Sequence, residues 1–399
     1  MKKFFSFDPK LLLYGFLITF FASYGQTFFI SIFNAEIRSL YKLTDGEFGL
    51  VYALGTLSSS IILVGFAKLI DHTDLRFYSF IISVGLAIAC VGMYINYQSI
   101  IFLFFIIFGL RFFGQGAMCH AGETTMSRYF GSNRGKAISV ATFGGQIGVT
   151  LLPLIVVKLI GIVGWQHVWL GASFTILIFF IPLLFVALQN QNIRHHNFSQ
   201  SKNDIETNRT WKTREVVFDK KFYIYLPLHI SAPFISTGLM FHQVFIISQK
   251  GWTLDMLASG FVFLGIFSLI GLIFGGPIID KYNTKKIILF TLLPLFLAII
   301  TLIFFDSYIS MFIYLSLLGF NMGISTPFLG SLWAELYGLK SLGTVKALLH
   351  ASGVFASALS PVIFGYIIDF GFGILTIGII SLLIVSLSTL LAIIYKEVI

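Results

Sequence analysis

Two short stretches of the sequence decide the fold: AKLIDHTDLR (67–76) and GPIIDKYNTKK (276–286). Each is a charged loop between two apolar runs, and their aspartates, Asp71 and Asp280, are 209 positions apart. Four further pairs recur at nearly this spacing: Glu123 with Glu335, Lys136 with Lys346, Gly144 with Gly353, and Pro153 with Pro361. Because all five pairs share almost one offset, the sequence indicates a duplicated unit of roughly half the chain.

The composition indicates which solvent surrounds the chain. Of its 399 residues, 57% are hydrophobic and only 11% are charged, whereas a soluble domain carries about 25% charged residues. A water-soluble domain of this size could not bury so much apolar surface, so we expect a lipid bilayer as the solvent. The apolar runs are long and unbroken, which is typical of spanning helices; a membrane β-barrel would show alternating segments of about ten residues.

The apolar runs can be counted, because a spanning helix needs about 20 predominantly apolar residues. Twelve runs meet this requirement: 11–35, 48–69, 77–96, 99–127, 137–160, 166–188, 222–247, 254–277, 286–305, 308–333, 345–368 and 373–395. The first is too long for a signal peptide. A long hydrophilic stretch separates the sixth run from the seventh. We therefore predict an N-terminal six-helix bundle (1–188), a cytoplasmic linker (189–221) and a C-terminal six-helix bundle (222–399).

Lysine and arginine side chains set the predicted orientation, because cytoplasmic loops of membrane proteins carry an excess of them. With the N-terminus in the cytoplasm, and with cations at the cytoplasmic ends of spans counted on that side, the outer side receives only Arg38, Lys42 and Lys250, and Arg111 and Lys158 remain within the spans. We therefore predict that both termini are cytoplasmic, and we expect a bacterial inner (plasma) membrane. The net charge of +9 follows from this orientation and requires no nucleic-acid partner.

The sequence shows no enzyme motif. Cys90 and Cys119 both lie inside apolar runs, so we interpret them as buried hydrophobes and not as a disulfide or a metal site. No nucleotide loop, metal cluster or nucleophile motif occurs at a recognisable spacing. We therefore predict that the protein is not an enzyme and that it uses no cofactor.

The two loop stretches resemble a motif of the major facilitator superfamily of secondary transporters, which reads roughly Gly-x-Leu-Ala-Asp-Arg-x-Gly-Arg-Lys. In the second half of the chain, the motif is matched by Gly276, Ile278, Asp280, Lys281 and Lys285. In the first half, it is matched only by Leu69, Asp71 and Arg76. The resemblance covers the whole chain, because the number of runs and the central linker also agree with the family.

Two helix signatures of the family can also be compared. Arg111 is followed by Phe-Phe-Gly-Gln-Gly, which resembles the fourth-helix signature shifted by one residue. The fifth-helix signature of drug exporters, Gly-x-x-x-Gly-Pro, is not matched, because Val149 stands where its proline would be. The second comparison counts against an exporter.

The resemblance implies an all-α membrane protein with twelve transmembrane helices in two pseudo-symmetric six-helix bundles. It implies an alternating-access secondary transporter that moves a small solute through a central cavity. Spans one, four, seven and ten would line this cavity, helped by two, five, eight and eleven. We expect a monomer, with H⁺ or Na⁺ as the coupling ion if transport is coupled.

The predicted lining spans carry polar side chains at helical spacing. Together with Arg111, the candidate solute contacts are Tyr24, Gln26, Thr27, Gln115, Gln146, His229, Gln243, Asn321 and His350. In span one, a polar stripe from Ser23 to Asn34 would share one helical face. A packing role is the alternative for each of these residues, because small and hydroxyl side chains also stabilise helix contacts.

Arg111 lies about twelve residues into span four and therefore near the bilayer midplane. An arginine there costs at least ~3 kcal/mol on insertion scales and stays protonated. Two roles are compatible with the sequence. The guanidinium could bind a carboxylate, sulfonate or phosphate of the solute, or it could donate hydrogen bonds to carbonyl and amide groups of span one.

The middle of each span contains no Asp or Glu, although carriers of cations and acid-driven proton carriers usually place a carboxylate there. Together with Arg111, this favours a small organic anion, such as a carboxylate, as the solute. The alternatives are an efflux pump for amphipathic compounds and a membrane sensor that transports nothing. If protons are coupled, the candidate residues are His229, His242, His350, His120 and Glu123.

Charged residues at the predicted cytoplasmic ends form a group of gating candidates: Asp71, Arg76, Glu123, Asp280, Lys281, Lys285 and Glu335. The resemblance places the two aspartates at the N-termini of spans eleven and five, where a carboxylate is favourable. Simple orientation charge is the alternative for each cation.

Two sets of ion pairs would complete this predicted gate. Arg76 would pair with Glu123, and Lys281 or Lys285 would pair with Glu335. The pairs would hold the inner side closed in the outward-facing state and would break as the cavity opens inward.

Overall fold

The fold is given by a computed structural model that describes residues 7–95, 97–130, 133–189, 191–192, 194, 213–338 and 342–395. Every regular element in this part of the chain is a helix. For Asp280 and Lys285 the description covers only the backbone, so the predicted gating roles of these two side chains lie outside it.

Within the described residues, eleven helices are long and apolar enough to cross a membrane, and a bent pair forms a twelfth span. The spans are α1 (Pro9–Gly25 with Thr27–Tyr41), α2 (Asp45–Asp71), α3 (Leu75–Ile95), α4 (Ile100–Tyr129), α5 (Arg134–Val163), α6 (Trp165–Ala187), α7 (Lys220–Phe241), α8 (Leu254–Ile279), α9 (Lys286–Phe304), α10 (Tyr308–Tyr337), α11 (Leu348–Asp369) and α12 (Ile374–Ile394). They follow the twelve predicted runs in number and order, so the prediction of an all-α protein with twelve transmembrane helices is confirmed.

Local sequence determines several helix ends. The hydroxyl of Ser99 accepts a hydrogen bond from a backbone N–H in the first turn of α4, and that of Ser307 does the same for α10. Such caps satisfy N–H groups that have no partner inside the helix. Gly164, at φ 81°, separates α5 from α6 with a backbone conformation that residues with a Cβ rarely adopt.

The chain divides into two compact units. The N-terminal unit comprises Met1–Lys42 and Val51–Glu206, and the C-terminal unit comprises Leu43–Leu50 and Thr207–Ile399. In the N-terminal unit α1 packs on α5 and α3 packs on α6; in the C-terminal unit the corresponding pairs are α7 with α11 and α9 with α12. The same pairing in both units is what a duplicated six-helix bundle requires. Leu43–Leu50, predicted to lie in the N-terminal bundle, packs with the C-terminal unit.

The first span is not the continuous helix that its hydropathy suggests. An α-helix over Pro9–Phe21 tightens into a 3₁₀ turn over Ala22–Gly25, and Gln26 is extended, at φ −83° and ψ 153°. The helix resumes at Thr27, and the two parts are bent by 44°. The prediction that the polar stripe of span one shares a single helical face is therefore wrong, because an extended residue interrupts the helical periodicity.

Candidate functional site

The site around Arg111 begins with an unusual stretch of helix. Within α4, residues Leu110–Met118 form a π-helix, in which backbone hydrogen bonds span five residues instead of four. Such segments are rare and often occur at functional sites. Arg111 is the second residue of this segment, and its side chain is only 2% exposed.

The partners of Arg111 are all neutral. Nε donates to Thr56 Oγ1 at 3.1 Å, and Nη1 donates to the Gly25 carbonyl at 3.0 Å, with Thr27 Oγ1 further away at 3.5 Å. The guanidinium carbon lies 5.0 Å from the centre of the Tyr52 ring, which permits a cation–π contact. The third nitrogen, Nη2, makes no hydrogen bond with the described residues.

The break in α1 explains why an arginine is needed here. In a regular helix the Gly25 carbonyl would accept from the N–H of Phe29, but that N–H bonds to Gln26 instead. A buried carbonyl without a partner is costly, and Nη1 of Arg111 supplies the missing donor. The predicted contact between Arg111 and a carbonyl of span one is therefore present.

Glycines allow this contact by bringing two backbones together. A Cβ added to Gly25 would lie 2.1 Å from the Leu110 carbonyl oxygen, and one added to Gly114 would lie 2.7 Å from the Cα of Gly25. Neither position can hold a larger residue without displacing a backbone. The broken part of α1 thus packs directly on the π-helical part of α4.

Two residues of this site were missed by the sequence analysis. Tyr52 and Thr56 lie one turn apart on α2, and both are buried. The hydroxyl of Tyr52 is 2.6 Å from Thr27 Oγ1, so the network joins α1, α2 and α4. Their spacing of four residues is a weak signal of a shared face, and only the tertiary structure shows that this face meets Arg111.

The other predicted contacts in the N-terminal unit are scattered. Gln26 lies with its Nε2 3.5 Å from Cys119 Sγ on α4, whereas Tyr24 turns to α6 and hydrogen-bonds Thr175 at 2.9 Å. Gln115 and Gln146 are half-buried, and Oε1 of Gln146 has no hydrogen-bond partner among the described residues. Thr27 is thus the predicted contact that the structure places directly beside Arg111.

In the C-terminal unit, the predicted contacts include two histidines. His229 Nε2 donates to the Leu349 carbonyl at 3.2 Å, and its ring packs against Trp333 with centroids 6.1 Å apart. His350, one residue beyond that carbonyl, is exposed. Gln243 is buried at the start of a short helix, Gln243–Lys250.

Asn321 is fully buried, and its side chain faces a neighbouring helix. Nδ2 donates to the Thr291 carbonyl on α9 at 3.0 Å, while Oδ1 has no partner within the described residues. A side chain held in this way supports helix packing, which is the alternative that the sequence left open for every member of the group.

At one end of the N-terminal unit, Asp71 pairs with Arg128 at the end of α4. Arg128 also donates to the Ile70 carbonyl at 3.3 Å. The sequence predicts a gating role for Asp71, whereas Arg128 was not predicted as its partner. Both side chains line a polar groove of about 480 Å³ that also includes Tyr129 and Gln191.

Arg76 has different partners from the one predicted. Its guanidinium pairs with Asp74 at 2.7 Å and donates to Asn192 at 3.0 Å, whereas the sequence interpretation coupled it to Glu123, an exposed residue of α4. The hydrogen bond from Arg76 lowers the pKa of Asp74, an effect that outweighs the opposing effect of partial burial.

In the C-terminal unit, Glu335 accepts hydrogen bonds from Thr284 and, at 3.4 Å, from Ser331. Lys281, which was predicted to reach Glu335, lies with Nζ 5.0 Å from the centre of the Tyr282 ring. Within the described residues, no three His, Cys, Asp or Glu side chains come together in a way that could hold a metal ion.

The sequence model of the Major Facilitator Superfamily matches residues 15–361 and 244–398. No curated protein sequence matches the chain.

Several solved structures share the fold. A bacterial homologue of the human lysosomal transporter Spinster, in inward-facing unoccupied and occupied conformations, superposes with TM-scores of 0.66 and 0.65 at 15% and 13% identity. The superpositions cover 100% and 98% of this chain and 98% and 96% of the homologue. The nucleoside transporter NupG superposes with a TM-score of 0.72 at 10% identity, over 97% of this chain and 98% of its own. At such low identities the similarity concerns the fold alone.

Proposed function

The chain belongs to the Major Facilitator Superfamily, and we propose that the small solute it transports is an organic anion such as a carboxylate. The protein is an integral multi-pass membrane protein of the transporter class. The observation that supports an anionic solute is the buried guanidinium of Arg111, whose described partners are all neutral.

The charge of Arg111 is the first step of the argument. A buried charge without a counter-charge is costly, and hydrogen bonds to neutral dipoles compensate for only part of the cost. A carboxylate of the solute would supply the missing counter-charge. Binding of the carboxylate should therefore be most favourable at Arg111, where the protein itself supplies no counter-charge.

The geometry of Arg111 is the second step. Thr56 and the Gly25 carbonyl hold Nε and Nη1, so the plane of the guanidinium is already oriented before any solute binds. Nη2 remains available as a donor. Because the side chain loses little further conformational freedom on binding, a charge-assisted hydrogen bond from Nη2 would retain most of its strength. The structural and the solute-binding roles of Arg111 are therefore compatible.

The remaining predicted contacts are part of the same proposal. Thr27 lies beside Arg111, Gln26 follows the Gly25 carbonyl that Arg111 binds, and Gln115 is one turn beyond Arg111 on α4; we propose that these three residues contact the uncharged part of the solute. Asn321 is the weaker candidate for a solute contact, because its amide is held against α9.

The proposal is tested by ligand-induced thermal stabilisation and by counterflow in proteoliposomes, with a panel of carboxylates, sulfonates and phosphates. Arg111→Gln should abolish the response to the anion that stabilises the wild type. Lys158→Gln is the matched control, because Lys158 also lies within a span, α5, but is exposed. An Arg111→Gln protein that folds and binds the anion with unchanged affinity would refute the proposal.

A second candidate function is efflux of amphipathic compounds. It is favoured by an apolar cavity of about 510 Å³ in the C-terminal unit, between α8, α9 and α10, with Lys286 and Tyr282 among its lining residues. This function would be favoured over the first if lipophilic drugs, and not anions, stabilise the protein and if Arg111→Gln keeps that response.

We also propose the orientation and the gate that the charge distribution suggests. Both termini would be cytoplasmic, the protein would be a monomer, and Asp71 with its partner Arg128 would belong to the inner gate. Accessibility of single cysteines introduced after Asp71 and after Lys250 to a membrane-impermeant reagent tests the orientation, because the two positions should label from opposite sides.

A further inference from the structure

The start of α2, Leu43–Leu50, packs with the C-terminal unit, and Asp369 at the end of α11 binds it. One carboxylate oxygen of Asp369 accepts the N–H of Asp45 at 3.0 Å, and the other accepts the N–H of Gly46 at 2.9 Å. A carboxylate at the N-terminus of a helix satisfies free N–H groups and is favoured by the helix dipole. Asp369 thus holds the backbone at Asp45 and Gly46.

His242, directly after α7, also contacts the start of α2, and it is only 1% exposed. Its Nε2 lies 2.8 Å from the carbonyl oxygen of Pro361. Because a carbonyl oxygen can only accept a hydrogen bond, Nε2 must carry a proton. This contact determines the tautomer of a neutral His242: Nδ1 would then bear a lone pair.

The other ring nitrogen of His242 faces a carboxylate. Nδ1 lies 3.4 Å from Oδ1 of Asp45, and Asp45 is itself only 7% exposed. A lone pair on Nδ1 opposite an ionised carboxylate would place two acceptors together in a buried environment, which is unfavourable. A single proton, held either by the imidazole or by the carboxyl group, removes the conflict.

We propose that Asp45 and His242 form a proton-binding site in the C-terminal unit. The reaction is simple protonation: the pair takes one proton from water when the α2 start packs in place, and it returns that proton to water when the two side chains separate. The proposal rests on the proposed transport function in one respect only, since it assigns H⁺ as the coupling ion.

The neighbouring groups favour the protonated pair. On α11, the carboxylate of Asp369 and the ring of Tyr366 pack against Gly46. On α2, Glu47 is turned to the N–H of Thr44, with Oε2 at 2.9 Å. A second carboxylate, that of Asp369, therefore lies at the start of α2 close to Asp45, and a nearby negative charge favours the binding of a proton.

The backbone packing links proton binding to the position of the α2 start. A Cβ added to Gly49 would lie 2.4 Å from the Pro361 carbonyl oxygen, and one added to Gly365 would lie 2.6 Å from the carbonyl oxygen of Asp45. The two backbones are thus in direct contact on both sides of the pair. The site exists only while this contact is made.

The first test compares the pH dependence of thermal unfolding in wild type and Asp45→Asn. The intact pair binds a proton that the unfolded chain lacks above the ordinary titration of histidine, about pH 6.5, so the unfolding temperature of the wild type should fall as pH rises beyond that value. The amide introduced by Asp45→Asn would donate to Nδ1 at every pH, so this part of the slope should be lost. Glu47→Gln, two residues away, is the matched control and should keep the slope. An unchanged slope in Asp45→Asn would overturn the proposal.

A second measurement uses the wild-type protein and requires no variant to fold. At about pH 8, where free histidine is mostly neutral, ¹⁵N-histidine spectra should show one imidazolium, or infrared spectra should show one carboxylic acid. A neutral ring and an ionised carboxylate together would overturn the proposal. Neither measurement involves a solute, so failure here is distinct from failure of Arg111→Gln to change anion binding.

Discussion

The Nη1 atom of Arg111 donates a hydrogen bond to the carbonyl oxygen of Gly25 at 3.0 Å, at the point where α1 is broken. One side chain thereby compensates a backbone group that the break leaves without its helical partner. This contact explains why a cation is tolerated in an apolar helix. It also leaves one nitrogen, Nη2, without a hydrogen bond to any of the described residues.

Gly114→Ala should destabilise the protein. The new methyl group would lie 2.7 Å from the Cα of Gly25, and overpacking of a rigid contact costs about 1–3 kcal/mol. Gly171→Ala in α6 is the control, because a Cβ there meets nothing within 4 Å. In detergent, the unfolding temperature of Gly114→Ala should be lower than that of Gly171→Ala. Equal unfolding temperatures would contradict the close contact between Gly114 and Gly25.

The ring of Tyr52 should contribute more than its hydroxyl to holding Arg111. Tyr52→Phe keeps the aromatic face at 5.0 Å from the guanidinium and loses the hydroxyl with its hydrogen bond to Thr27. Tyr52→Leu loses both the ring and the hydroxyl and should cost about 0.5–2 kcal/mol more, the range of buried cation–π contacts. Unfolding temperatures measure the difference, and a Phe variant as unstable as the Leu variant would count against it.

The pair between Asp71 and Arg128 should show measurable coupling in a double-mutant cycle with Asp71→Asn and Arg128→Gln. Arg128 is mostly buried, but Asp71 is 54% exposed, so solvent screening should limit the coupling to about 1 kcal/mol. The cycle of Asp74→Asn with Arg76→Gln is the control. Both side chains of that pair are more than a third exposed, and we expect weaker coupling there. Equal coupling in the two cycles would show that burial of Arg128 is unimportant.

Asn321→Asp should be much more damaging than Asn321→Ser. Aspartate has nearly the same shape, but an ionised carboxylate cannot donate to the Thr291 carbonyl and would face it in a fully buried position. Leaving buried polar groups without partners costs about 1–3 kcal/mol each, and more for charged groups. Expression and thermal unfolding would measure this, and a stable Asn321→Asp protein would remove the packing role assigned to Asn321.

The pair of Asp74 and Arg76 should contribute to stability only above acidic pH. Arg76 lowers the pKa of Asp74 in the folded protein, so the contribution is fully present above the unfolded value of about 3.9 and is lost as pH falls through the folded value. The difference in unfolding temperature between wild type and Asp74→Asn should therefore shrink on acidification. A difference that grows as pH falls would contradict this sign.

Hydropathy was sufficient to predict the twelve spans, because each apolar run must be a helix in lipid, where every backbone group needs an internal partner. Because hydropathy is averaged over a whole apolar run, it did not reveal the break in α1. The residues around Gln26 remain apolar enough for a helix, and the break depends on the close approach of Gly25 to Gly114 from another span. No window on the local sequence contains that partner.

The candidate site was predicted in part. The sequence identified Arg111 as exceptional, because a charge in an apolar run is rare and costly. It did not identify Tyr52, Thr56 or Arg128, since buried tyrosines and threonines and terminal arginines are ordinary in membrane helices. Their importance comes from which neighbours they meet.

By itself, the sequence determined the class of the protein, the number of spans and the duplicated halves, because the energetics of lipid exposure act on each segment separately. Only the tertiary structure decided what the charges do. It placed Arg111 on the Gly25 carbonyl, Asp71 on Arg128 and Asp45 on His242. These pairs join residues that are distant in sequence, and their hydrogen bonds depend on distances of a few ångströms that only the packing of the helices determines.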